Sequence, residues 1–255
     1  MNTALALAVV LTVSTPSTYA TSPWDGTWKL DRSRSHLTGQ TITLSKVKNG
    51  KWRYNDGTIS YEFALDGKPV TTFADGTMAA TADGDHALNL VFRSKVSESR
   101  THLVLSGDGK TITDHSTGTR PDGTKTEEDG AMQRVGTGSG FAGTWKSTKT
   151  ESSSGESFAL RADGDHIKWD WPAYKRTVEG KMDGSPIALT GAAATPGTTM
   201  AVRKVSATRL SYSIKGEGKA LAEGTLALSA DGKTLTATEW APAKPGEKTI
   251  AVYAR

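Results

Sequence analysis

The 255-residue chain carries 31 Lys and Arg against 27 Asp and Glu, for a formal net charge of +4, and is 36% hydrophobic and 23% charged. That composition is too apolar for a disordered chain, and its interspersed charges form no stripe of the kind that tracks a nucleic acid. It contains no cysteine, which excludes disulfides, thiol nucleophiles, thiolate metal sites and a lipid-modified amino-terminal Cys.

Residues 1–20 read as a signal peptide. An apolar run from Ala4 to Val13 leads through a polar stretch holding Pro16 to Thr18-Tyr19-Ala20, a small-residue cleavage site. The run is about half the ~20 residues a bilayer-spanning helix needs, and no later segment is apolar enough to span. The expectation is an exported bacterial protein, periplasmic or extracellular, with no transmembrane segment once the signal is cleaved.

Beyond the signal the chain is short, alternating and punctuated by turns. Asp-Gly pairs begin at 25, 56, 66, 75, 83, 108, 122, 129, 163, 183 and 231, and such pairs supply the positive φ of tight hairpins. Between them, segments of period two place Leu88, Leu90 and Phe92 on one face, and Leu210, Tyr212 and Ile214 on another. No stretch carries a helical apolar stripe. The chain is therefore expected to be all-β, with many antiparallel strands.

It is also a duplication. Trp24-Asp25-Gly26-Thr27-Trp28-Lys29 returns 117 positions later as Phe141-Ala142-Gly143-Thr144-Trp145-Lys146. Trp52 and Tyr54 match Trp169 and Trp171 at that offset, which then grows to 122 near Gly191 to Gly197 and to 123 near Lys215 to Glu223. Both insertions read as loops. The division this implies is a signal peptide at 1–20, a first unit at 22–135, a Gly/Ser-rich linker at 136–140 and a second unit at 141–255.

Each unit opens with Gly-x-Trp and closes near an Arg: Gln133-Arg134 in the first, Tyr253-Ala254-Arg255 in the second. These ends resemble those of the calycins, the lipocalin and fatty-acid-binding-protein group of β-barrels. The closest overall likeness is to exported lipocalin-like bacterial proteins of unknown function. The resemblance implies two tandem up-and-down antiparallel barrels, each latched by an Arg over its first-strand Trp: Trp28 with Arg134, and Trp145 with Arg255. It covers the ends of each unit and leaves the activity open.

The chemistry-bearing candidates are aromatic. Trp52 and Tyr54, and their counterparts Trp169 and Trp171, fall at i and i+2 and so share a sheet face. The second unit adds Tyr212 and Trp240. Such residues serve as core, as the wall of a ligand pocket, or as exposed platforms for sugar rings, and the pattern alone leaves all three open.

Polar motifs carry less. Asp83-Gly84-Asp85-His86 and Asp163-Gly164-Asp165-His166 lack the further oxygens of a calcium loop, and read as hairpin turns. A three-residue loop at Gly107-Asp108-Gly109 would place His102 opposite Asp114, half of a hydrolytic triad without a nucleophile. No metal or cofactor is expected, and oligomeric state leaves no mark. The expected function is non-catalytic binding of a small, mostly apolar or amphipathic molecule, chiefly in the second barrel. A glycan or anionic-polymer binding module with exposed aromatics is the first alternative, and a calycin-type enzyme built on His102 and Asp114 the second.

Overall fold

The computed structural model describes residues 22–153 and 155–255; the expected signal peptide, 1–20, lies outside them. The alternating segments become strands. The first repeat supplies β1 (Gly26–Leu30), β2 (Thr41–Lys46), β3 (Trp52–Asn55), β4 (Ser60–Phe63) and β5 (Val70–Thr71). It continues with β6 (Thr77–Ala82), β7 (Ala87–Arg93), β8 (Glu98–Leu105), β9 (Thr111–Thr119) and β10 (Lys125–Ser139). The second supplies β11 (Ala142–Ser152), β12 (Ser157–Asp163), β13 (His166–Trp171), β14 (Arg176–Lys181) and β15 (Asp183–Ala188). It ends with β16 (Thr199–Ser206), β17 (Arg209–Gly216), β18 (Lys219–Leu228), β19 (Thr234–Trp240) and β20 (Lys248–Ala254).

These strands form two ten-stranded antiparallel sheets, each rolled into a nearly closed barrel. The first barrel runs β4-β3-β2-β11-β10-β9-β8-β7-β6-β5, and the second β14-β13-β12-β1-β20-β19-β18-β17-β16-β15. Neighbours follow chain order except at one position in each barrel: the two Gly-x-Trp strands have changed places. β11 lies between β2 and β10, with Trp145 opposite Ile42 and Arg134. β1 lies between β12 and β20, with Trp28 opposite Phe158 and Leu30 opposite Tyr253.

The reason lies in residues 136–140. Expected as an interdomain linker, they form the end of β10 and its turn, with Ser139 paired to Ala142. Gly136 (φ +75) sits in a bulge, and Gly140 (φ +54) begins the reversal, positive angles that glycine adopts without cost. A reversal this tight commits β11 to lie beside β10, the place β1 would otherwise take. The identical Gly-Thr-Trp-Lys of the two strands presents the same side chains to either barrel. β1 fills the matching gap in the other barrel, and the chain crosses between barrels after Leu30 and again after Ser152. The units 22–135 and 141–255 are thus repeats in sequence, and neither is a barrel by itself.

The cores record the same exchange. Trp24 and Trp28 pack with Phe158, Leu160, Ile167, Val202, Leu210 and Leu226 of the second repeat. Phe141 and Trp145 pack with Leu44, Trp52, Phe63, Met78 and Ile112 of the first. The latch exists with exchanged partners: Arg255 lies 5.0 Å over the Trp28 ring, and Arg134 lies 4.1 Å over Trp145. The expected pairs, Trp28 with Arg134 and Trp145 with Arg255, assumed that each unit closes on itself. Gly26 (φ +149) and Gly143 (φ +152) make room for these guanidinium groups, and a Cβ at Gly143 would collide with Arg134.

The two barrels also grip each other directly. Lys244 Nζ donates to the Thr41 carbonyl at 2.6 Å, and the Thr41 N–H donates to Glu247 at 2.8 Å. Phe73 of the first barrel lies against Gly216 and its neighbour Leu221 of the second, so close that a Cβ on Gly216 would stand 2.9 Å from the Phe73 ring.

Candidate ligand cavity

A cavity of about 690 Å³ opens at the end of the second barrel that faces the first, within the size range of small-molecule sites. Period two on β13 turns Trp169 and Trp171 to the interior, where their rings stack at 4.8 Å and 21°. Trp169 is buried, while Trp171 is half-buried. Tyr212 from β17 meets Trp169 edge-on at 5.5 Å, and Phe158 from β12 lies 5.3 Å from Trp169 and 4.7 Å from Tyr253 of β20. Aromatic pairs in such tilted and edge geometries add about 0.5–1.5 kcal/mol each beyond their area. They form a rigid apolar wall.

A few polar groups interrupt it. The Tyr212 hydroxyl donates to Glu239 at 2.9 Å. Burial pushes Tyr212 well above the usual phenol range, with the nearby Glu239 charge as the second cause. Burial also raises Glu239, against the opposing hydrogen bond from Tyr212. Two buried polar atoms of cavity-lining residues, Trp169 Nε1 and Thr198 Oγ1, have no hydrogen-bond partner. A buried polar group left unsatisfied costs about 1–3 kcal/mol.

Not all the sequence candidates belong here. Trp240, expected to line the second barrel's pocket, has the opposite parity to the interior-facing Leu235, Ala237 and Glu239 on β19. Its ring lies under Lys248 at 5.1 Å and its Nε1 donates to Glu223 at 3.2 Å, on the barrel's outer face. There it borders a cleft of about 400 Å³ between the barrels, with Ile42 and Tyr54 on the other side. Tyr54 stacks on Tyr61 at 5.0 Å, and Trp52 is buried in the first barrel's core. The first barrel has its own opening of about 830 Å³, lined mainly by groups such as Thr101, Ser116, Thr126 and Glu128. Its wall includes Gly191 to Pro196, most of the first of the two insertions that distinguish the repeats.

The catalytic suspects come apart. The loop between β8 and β9 holds four residues, since Ser106 still bonds to Thr111. That shifts the register so that His102 faces His115, and Leu103 faces Asp114. His102 lies 3.4 Å from Asp83 on the outer surface. Among the described residues no group of three or more His, Asp or Glu is placed to hold a metal ion, and no helix is long and apolar enough to cross a membrane.

Sequence reasoning missed Phe158, Tyr253 and Glu239. Glu239 was findable, because it continues the period-two series of Leu235 and Ala237 and so places a carboxylate on an apolar face. No protein-family model matches the chain, and no curated protein matches it. What fold and cavity define together is a class, a tandem β-barrel with exchanged first strands and an aromatic-walled opening.

Proposed function

We propose that the chain is an exported, calycin-like binding protein that holds a small, mostly apolar ligand in the second barrel. The observation that carries this reading is the cavity wall of Phe158, Trp169, Trp171, Tyr212 and Tyr253, interrupted by the Tyr212–Glu239 pair. Apolar surface brought against these rings gains about 25 cal/mol per Å², less the cost of association. Unpartnered Trp169 Nε1 and Thr198 Oγ1 offer polar partners to a ligand bearing an oxygen or nitrogen. The Gly-x-Trp strand with an Arg across its ring supports the calycin likeness, and the Ala4 to Ala20 segment supports export.

The test is native mass spectrometry of the protein purified from its own host, together with quenching of Trp emission by phenylnaphthylamine, a neutral apolar probe. A co-purified small molecule displaced by the probe, with affinity weakened at least about tenfold by Trp171→Ala, is the expected result. Failure of the intact protein to bind either a native ligand or the probe would overturn the reading.

A further inference from the structure

The seam between the barrels is clamped at one edge and left open beside it. The turn between β19 and β20 carries Pro242 and Pro245, which fix its backbone. It is closed by the Lys244 N–H donating to the Ala241 carbonyl at 2.8 Å and the Glu247 N–H to the Lys244 carbonyl at 3.0 Å. From this turn Lys244 Nζ donates to the Thr41 hydroxyl at 2.8 Å, and that hydroxyl donates to Glu247 at 2.7 Å. Beside the clamp lies the cleft of about 400 Å³, within the size range of small-molecule sites. Its six large apolar side chains, Ile42, Tyr54, Ile59 and Phe73 of the first repeat and Leu221 and Trp240 of the second, are all half-buried. They border the space without filling it.

The polar groups of this wall ask for a ligand that both donates and accepts. Asp56 accepts from the Thr58 and Ile59 N–H groups at 2.7 Å each, and from the Tyr54 hydroxyl at 3.3 Å. A carboxylate offers about four acceptor positions, so Asp56 and Glu247 keep capacity for a further O–H. With Glu239 they set three carboxylates against the one Lys244, a balance that disfavours an anion. Gln40 Nε2, in the same wall, is buried with no hydrogen-bond partner among the described residues, a donor in need of an acceptor. Trp240 is held by its two cross-strand neighbours. Glu223 accepts from its Nε1 at 3.2 Å, and Lys248 stands 5.1 Å over its ring.

We infer that this cleft is a second ligand site, one that takes a neutral saccharide with a pyranose ring laid on the face of Trp240 that Lys248 leaves free. The C–H groups of such a ring are slightly positive and suit the negative face of an indole. Its hydroxyls donate to Asp56 and Glu247 and accept from Gln40. A plain hydrocarbon would leave Gln40 Nε2 unpaired and take water from the carboxylates without replacing its hydrogen bonds. A small organic cation would meet Lys248 at the ring and still leave Gln40 without an acceptor. The cleft is distinct from the aromatic cavity: Phe73, Leu221, Glu239 and Thr249 border both, but Trp169 and Trp171 border the cavity alone and Trp240 the cleft alone. The inference therefore stands independently of the ligand proposed for the second barrel.

Saturation-transfer NMR on the intact protein tests this with methyl β-glucoside, methyl β-galactoside and methyl β-N-acetylglucosaminide, and with cyclohexanol and choline as apolar and cationic controls. Transfer to at least one glycoside is expected, strongest at its ring C–H protons. Trp240→Ala should weaken that affinity at least about tenfold, Gln40→Ala should weaken it too, and Trp240→Phe should keep part of it. Trp171→Ala should leave it unchanged, just as Trp240→Ala should leave phenylnaphthylamine binding unchanged, so the two sites fail or stand separately. Transfer to none of the glycosides on the unmodified protein would overturn the inference. Equal transfer to cyclohexanol or choline would overturn the saccharide class. A glycoside signal that survives Trp240→Ala, or that is lost with Trp171→Ala instead, would overturn the cleft as its site. The probe comparison needs no variant, so a Trp240 substitution that fails to fold does not remove the test.

Discussion

Trp28→Ala separates the exchanged architecture from two self-contained barrels. Trp28 is fully buried, its Nε1 donates to the Trp24 carbonyl at 3.1 Å, and Arg255 lies 5.0 Å over its ring. Every one of these partners except Trp24 sits among strands of the second repeat, more than a hundred positions along the chain. Truncation of a buried Trp to Ala costs about 3–5 kcal/mol. The loss of the cation stack adds about 0.5–1 kcal/mol, since Arg255 is exposed and keeps its bond to the Asp25 carbonyl. Amides protected by opening of that barrel should then exchange roughly a hundredfold faster or more. Hydrogen exchange read by mass spectrometry on peptides should locate the loss in β12 to β20, with β2 to β10 nearly unchanged. Trp145→Ala should give the mirror image, loosening the first barrel. Loss of protection confined to β2 to β10 in the Trp28 variant would refute the exchange.

Two further outcomes follow from the same structure. Protease cleavage at a site inserted between Gly138 and Gly140 should leave the halves bound through size-exclusion chromatography, because each barrel contains a strand of the other half; separation without denaturant would contradict the topology. Glu239 gives a pH signature: burial raises its pKa, so the native state holds the proton more tightly than the unfolded chain. Its stabilising contribution is full at low pH and is lost as pH rises from the 4.5 of a free glutamate through the raised value. Glu239→Gln should therefore flatten the fall in the second barrel's melting temperature between acid and neutral pH, and an unchanged slope would exclude Glu239 as its cause.

Class and repetition were legible because they rest on local patterns, the Asp-Gly turns and the period-two segments. The stacked Trp169 and Trp171 were legible for the same reason, as alternation fixes a shared face. Pairing between distant strands was not. Gly-Thr-Trp-Lys occurs in both copies, so either strand satisfies either barrel, and the choice falls to the turn at Gly140, whose composition reads equally well as a linker. His102 and Asp114 failed on a single residue of loop length, which turns every partner in a hairpin by one position. Trp240 failed because aromatic character was weighed without its parity against Leu235.

The exchange has a consequence for the cavity. Once β1 and β11 occupy each other's barrels, two short segments must cross the interface, and they begin just beyond Leu30 and Ser152. Arg32 and Leu37 from the first crossing, and Glu156 from the second, line the aromatic cavity. Thr150, near the end of β11, and Phe73, from the first barrel, complete the wall on that side. An isolated second repeat would lack Arg32, Leu37, Phe73 and Glu128, and its barrel would open to water where these residues now stand. The duplication therefore does more than supply two similar barrels: the strand exchange sets them at each other's openings and makes one repeat part of the cavity wall of the other.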